Sequence, residues 1–287
     1  MVANISTTSL ILGIVLLAIT STSLIFSLTT SDPTLTTSTI TEEQYSYEIA
    51  ALPSIREFEN KIEIEIYEQG LSGIEIPILI DDYVRNKFYH EYSVKPWHDN
   101  WVLALVNTLI PQYLLSGNMK PEEIFRYDYG ICNQQAILFQ EIVRDFGFDY
   151  GSVRITVPGF PHFASAVMVT DEWYFFDPNL EPEYDRRDPN IFDKIVIGDK
   201  QVLTAMYGNH FDDASSEMIE FSEINTFPAA RGVLAQEMSY VISWYGWALL
   251  VFPSLVILLH RRRTQQFDDA EDMAWSRRSR TRHHRMG

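Results

Sequence analysis

The period of hydrophobic and polar positions changes several times along the chain, and each change marks an element. Leu10–Leu28 is a run of 19 uncharged residues, about the length that crosses a bilayer, although serines and threonines dilute it. A second apolar run, Val241–Leu259, has Trp244, Tyr245 and Trp247 near one end, where headgroups favour aromatic rings, and Arg261–Arg263 directly after the other. Pro253 lies inside it and is expected to kink it. Between the runs the pattern is globular. Lys61–Tyr67 alternates Ile62, Ile64 and Ile66 with Glu63 and Glu65, which predicts a half-buried strand, while Glu57 and Lys61 would also suit a helix. Asp81–Tyr92 and Asp99–Tyr113 predict two helices, the second opened by Pro96 and Asp99 and carrying Trp101, Leu105 and Leu109 on its apolar face. A short helix is expected over Glu122–Tyr127, so three helices would back whatever follows.

Ala136, Ile137, Phe139, Ile142, Val143 and Phe146 recur at helical spacing, which predicts an amphipathic helix starting at or just after Cys132 and stopped by Gly147. The period then switches to that of strands. Ser152–Val157, His162–Thr170 and Trp173–Asp177 predict an antiparallel meander, with a tight turn at Asp171–Glu172. Pro178–Asn190 reads as a loop, and helices are expected over Lys200–Tyr207 and Arg231–Glu237. The expected organisation is an anchor over 1–29, a Ser/Thr-rich linker over 30–44, one domain over 45–239, a second span over 240–260 and a basic tail over 261–287. The first run lacks the positive n-region of a signal peptide and reads as an uncleaved anchor, with Ala18–Ser21 the place where cleavage would fall.

Charge sharpens this picture. The net charge is −17, which argues against a nucleic-acid partner. The residues after Leu259 carry eight arginines against four acids, leaving 14 basic against 35 acidic residues, a net of −21, in the rest. An acidic body with a basic tail points to two compartments, and arginines abutting the second span place the tail in the cytoplasm and 30–239 outside. The basic tail reads as a disordered, lipid-attracted segment. The acids Glu181, Glu183, Asp185 and Asp188 read as a solvated loop rather than calcium ligands, and neither a metal nor a cofactor is called for. Oligomeric state is not legible.

The candidate chemistry centres on Cys132, the single cysteine of the 287 residues, which excludes an intramolecular disulfide. A lone cysteine most often fills core. This one opens a helix, whose first turn presents unpaired N–H groups and a partial positive charge that favour a thiolate. Gly130 is expected to let the backbone turn sharply just before it. His162 follows 30 residues on and Asp177 15 beyond that. A histidine within reach would take the thiol's proton, an aspartate would fix the histidine's tautomer, and the Cys132 N–H would hold an oxyanion. Gln112 and Trp101 are candidates for a second oxyanion or substrate donor.

The sequence Gly130-Ile131-Cys132-Asn133-Gln134-Gln135-Ala136, then His162 opening an apolar strand, then Trp173-Tyr174-Phe175-Phe176-Asp177-Pro178, resembles the three motifs of the transglutaminase-like cysteine enzyme superfamily. The resemblance covers roughly Asp81–Pro182. It implies an α+β, transglutaminase-like (papain-like) helix cluster packed on an antiparallel sheet, here flanked by two transmembrane helices. It also implies a Cys132-His162-Asp177 triad acting on amide bonds of a protein or peptide at the cell envelope through a thioester. Hydrolysis, deamidation and cross-linking all stay open. The family commonly has a tryptophan two residues after the histidine; Ala164 stands there, which is expected to open or reshape the cleft. The rival reading is a non-catalytic binding scaffold in envelope or glycan assembly.

Overall fold

A computed structural model describes residues 2–29, 45–110, 117–157, 160–180, 184–208 and 215–283. In chain order the helices and strands are α1 (Val2–Thr29), α2 (Tyr47–Ala50), α3 (Ile55–Gln69), α4 (Glu75–Lys87), α5 (Trp101–Leu109), α6 (Pro121–Phe125), α7 (Cys132–Asp145), β1 (Asp149–Val157), β2 (Phe160–Val169), β3 (Glu172–Phe176), α8 (Asn190–Val196), α9 (Lys200–Tyr207), β4 (Ile219–Phe221) and α10 (Ala230–His283). The chain divides into two units. One comprises 32–95 and 114–235; the other comprises 1–31, 96–113 and 236–287. The expected continuous 45–239 domain is therefore interrupted by 96–113. The linker expected over 30–44 lies outside the described residues.

The first unit is α+β around a four-stranded antiparallel sheet of order β3-β2-β1-β4. Alternation along the strands splits its side chains between two cores. Tyr150, Val167, Tyr174 and Phe176 face α7 and pack with Phe58, Ile62, Ile80, Val84 and Ile124 from α3, α4 and α6. Val153, Ile155, Ala164, Ala166 and Phe175 face the other way onto Phe192 and Ile195 of α8 and Leu203, Met206 and Tyr207 of α9. Ala164 is fully buried in this second core. The β2–β3 turn holds Thr170 and Asp171 at positive φ, 51° and 67°, the mirror-image turn that suits strand twist.

The strand expected over Lys61–Tyr67 is instead the middle of α3. Ser54 caps it by accepting from the Glu57 N–H, Gly70 closes it in the left-handed region at φ 64°, and Phe58, Ile62 and Ile66 share the helical face toward the core. Ile64 is exposed, so the alternation of isoleucine and glutamate was coincidental with a two-turn helical stripe. Of the three helices expected behind α7, α4 and α6 pack on it, whereas α5 belongs to the second unit.

In the second unit α1 and α10 contain the apolar runs, and both are long and apolar enough to cross a membrane. They run antiparallel: a Cβ on Gly13 would lie 2.7 Å from Val251, and the Thr20 hydroxyl donates to the Ser243 carbonyl at 2.8 Å. Close approach at a glycine is the usual way apolar helices pack in lipid. α10 continues without a break through Pro253 and on to His283, where a disordered tail was expected. Arginine, a good helix former, is the commonest residue of that extension, and neither Gly nor Pro interrupts it before the end of the helix.

Candidate active site

Cys132 is the first residue of α7 and is half-buried. The entry to the helix is held by a single amide. Gln134 accepts from the N–H groups of Ile131 (3.3 Å) and Ser93 (3.2 Å) and donates to the carbonyls of Ser93 (2.8 Å) and Asn118 (3.1 Å). All four hydrogen-bonding positions of its fully buried side chain are used. Gln135 adds a bond to the Gly130 carbonyl at 2.8 Å, and Tyr89 brackets the approach by donating to Asp128 O (2.8 Å) and accepting from Gly130 N (2.9 Å). The Ile131 carbonyl takes the Gln134 and Gln135 N–H groups, so the N–H groups of Cys132 and Asn133 lie outside the helical ladder. Gly130 is not the device expected of it. Its φ lies outside the left-handed region, and a Cβ there would make only ordinary contacts, at 3.5 Å from Gln134 and Phe88. Hydrogen bonds make the turn.

His162 and Asp177 come together through sheet register. Ser165 pairs with Phe176, which sets Asp177 opposite Ala164 and His162 two residues farther along the same face. His162 Nε2 and Asp177 Oδ2 are 2.6 Å apart, both buried. His162 also hydrogen-bonds with the Cys132 side chain, and with Nε2 engaged by Asp177, Nδ1 is the ring nitrogen that remains for the thiol. Asp177 is itself saturated: Oδ2 accepts from the Tyr207 hydroxyl at 2.8 Å, and Oδ1 accepts from the N–H groups of Asn179 (3.2 Å) and Leu180 (3.3 Å). The Tyr207 ring meets the His162 imidazole edge-on at 5.5 Å.

Electrostatics follow from this packing. Burial is the largest single influence on His162 and acts to lower its pKa; the Asp177 carboxylate and then Cys132 outweigh it and carry it up to about 10. Burial pushes Asp177 the other way, yet the charge and hydrogen bond of His162, the Tyr207 hydroxyl and the Leu180 N–H hold it below the usual carboxylate value. At neutral pH the pair is therefore imidazolium and carboxylate. This arrangement can hold a sulfur anion beside a cation of fixed orientation, next to a helix start with two N–H groups outside its ladder.

The other expected residues are not gathered here. Trp101 belongs to the second unit, where its indole N–H donates to the Ser243 carbonyl at 3.0 Å. Gln112 lies outside the described residues, as do Glu181 and Glu183 of the acidic loop. Asp185 and Asp188 cap the backbone N–H groups of Arg187 and Asn190, a local turn role. Two residues of the site were missed. Tyr207 sits with Leu203 and Met206 on the buried face of α9, and a core tyrosine needs a partner for its hydroxyl, which was a usable signal. Gln134 stands three residues after the helix cap, where a glutamine reaching back is a known capping pattern. No protein-family model, curated protein or solved structure matches the chain.

Proposed function

We propose that the chain is a membrane-anchored thiol enzyme of transglutaminase-like type that acts on amide bonds. The observation that supports this best is the Cys132, His162 and Asp177 constellation, brought from a helix start, a strand and a strand end to hydrogen-bonding distance. In this reading the Cys132 sulfur attacks the amide carbonyl while His162 Nδ1 carries the proton to the leaving amine, so that an S–C bond forms and the C–N bond breaks. The Cys132 N–H supports the oxyanion. Water then releases an acid, or an amine releases a new amide; no cofactor is required. Asp177 and, behind it, Tyr207 hold the imidazole in one tautomer. The α+β unit acts outside the cytoplasm on a protein or peptide, tethered by α1 and α10.

The test is labelling of the full-length protein with iodoacetamide at neutral pH. Cys132 should alkylate faster than a model thiol, and His162→Ala should slow it by ~10² or more, the usual contribution of a positioned base. Cys132→Ala should abolish turnover of any amide substrate found. If Cys132 reacts as an ordinary thiol and His162→Ala changes nothing, the binding-scaffold reading replaces this one.

A further inference from the structure

α5 reads W-V-L-A-L-V-N-T-L and holds no charged residue. Its N-cap, Asn100, and first residue, Trp101, bond to α10 along about two turns, from Gln236 to Ser243. Asn100 Oδ1 accepts from the Leu103 N–H (3.1 Å) and the Ser243 hydroxyl (2.9 Å), while Asn100 Nδ2 donates to Ser239 Oγ (2.7 Å) and the Gln236 carbonyl (3.3 Å). Trp101 Nε1 donates to the Ser243 carbonyl, the acceptor that Thr20 of α1 also uses. Beyond that turn the helix turns outward: Leu105, Leu109 and Ile110 are 51%, 71% and 40% exposed. A face of that composition on a water-facing helix would carry charges.

Two observations say what covers it. Ser243 precedes Arg261 by about 18 residues, roughly 27 Å of helix at 1.5 Å per residue, against a hydrocarbon core of about 30 Å. The α5 attachment is therefore at the headgroup level of the span, opposite the arginine end. Trp101 and Trp244 share that level, and Trp97 packs edge-on against Phe26 of α1 at 5.3 Å, six residues or roughly 9 Å of helix past Thr20 on the side away from the arginines. Secondly, Thr108, the exposed polar side chain of α5, turns its hydroxyl back onto the Ala104 carbonyl at 2.9 Å. Ser21 and Thr22 on exposed positions of α1 do the same to Leu17 and Ala18. Such a bond suits lipid, where no water satisfies a hydroxyl, and Thr264 also makes it beside the arginines.

We propose that α5 is a third membrane element: a helix in the interface at the end of the span away from Arg261–Arg263, with Leu105, Leu109 and Ile110 among the upper acyl chains. At nine residues it is far too short to cross. The proposal rests on α1 and α10 being spans.

The experiment places an environment-sensitive NBD label on single cysteines in full-length Cys132→Ser protein reconstituted in phosphatidylcholine vesicles. The label goes at Leu109→Cys, Leu105→Cys, Leu249→Cys on α10 and Tyr67→Cys on α3. The lipid is spin-labelled either just below the headgroup or near the chain end. Leu109 and Leu105 should be blue-shifted and quenched more by the shallow lipid, Leu249 more by the deep lipid, and Tyr67 by neither. Quenching at Leu249 with none at Leu109 and Leu105 overturns the proposal; red emission there means water, and blue emission without quenching means that a protein or a second copy covers α5. If Leu249 also escapes both lipids, the two-span reading falls and the proposal falls with it.

Discussion

At the residue scale, the fate of single charges decides the chemistry and much of the stability. Asp177 is the group that raises His162 against burial, so Asp177→Asn should leave an imidazole whose pKa falls, with burial now unopposed by a carboxylate. The sign for stability follows from linkage. His162 is raised in the folded state from 6.5 to about 10, so its stabilising contribution is fully present below about pH 6.5 and is lost as pH rises through about 10. The gap in melting temperature between the parent protein and Asp177→Asn should therefore be widest on the acid side of pH 6.5 and narrow toward pH 10; a gap independent of pH would remove the ion pair from the account. Under the proposed function, amide turnover by Asp177→Asn should drop on the order of 10²–10⁴, less than for loss of Cys132. Lys87 shows the opposite case. It is buried, its ammonium sits 4.0 Å from the Phe125 ring centroid, and desolvation pushes its pKa down to about 8. A base depressed in the folded state binds fewer protons than the unfolded chain, so its charge opposes folding at neutral pH, and stability rises with pH between about 8 and 10.5. Lys87→Met should raise the melting temperature at pH 7, by on the order of 3 kcal/mol in stability if packing is kept, and the gain should shrink toward pH 10.5.

At the element scale, what was legible depended on how long and how regular each apolar stripe is. α7 and the three meander strands are read from Ala136–Phe146 and from the runs around His162 and Trp173, because each buries a full face against a core. β4 was invisible: three residues leave no period to detect, and its place at the sheet edge comes from a packing relation instead. Phe221 of β4 covers Gly151 of β1 so closely that a Cβ there would stand 2.4 Å from its ring. An aromatic over a strand glycine replaces the side chain that the glycine lacks. α3 misled because Ile62, Ile64 and Ile66 mimic a strand over seven residues, and only the cap at Ser54 and the stop at Gly70 reveal the helix. The meeting of Cys132, His162 and Asp177 was legible because all three stand on predicted elements, whereas Tyr207 reaches Asp177 across 30 residues of chain that carry no motif. The Gly151–Phe221 relation gives a direct test. Gly151→Ala should destabilise by about 1–3 kcal/mol through overpacking, and Phe221→Ala by a similar loss of buried area. The double variant Gly151→Ala/Phe221→Ala should cost clearly less than the two together, because the added methyl then occupies vacated space. Additive melting-temperature losses would show that β4 is held by something other than this contact.

At the scale of the whole molecule, the question is which side of a membrane each part occupies. α1 and α10 run antiparallel, since Gly13 meets Val251 and Thr20 meets Ser243, so the start of α1 and Arg261–Arg263 lie at the same end of the pair. Arginines next to a span favour the cytoplasmic side. α5 does not alter this count, because nine residues of helix rise only about 14 Å and cannot carry the chain across a core of about 30 Å. On the proposed topology, residues 45–95 and 117–235 lie outside the cytoplasm, and a substrate would reach Cys132 from that side. Protease added to intact cells or spheroplasts should digest the α+β unit and spare an epitope fused at Gly287. Digestion of the epitope with protection of the unit would reverse the topology and with it the envelope substrate. The same preparation decides whether the first run stays. The contact between Gly13 and Val251 requires residues before Ala18, so the mature protein should keep its N-terminal mass; cleavage at Ala18–Ser21 would leave α10 as the single anchor and remove the helix pair on which this topology is argued.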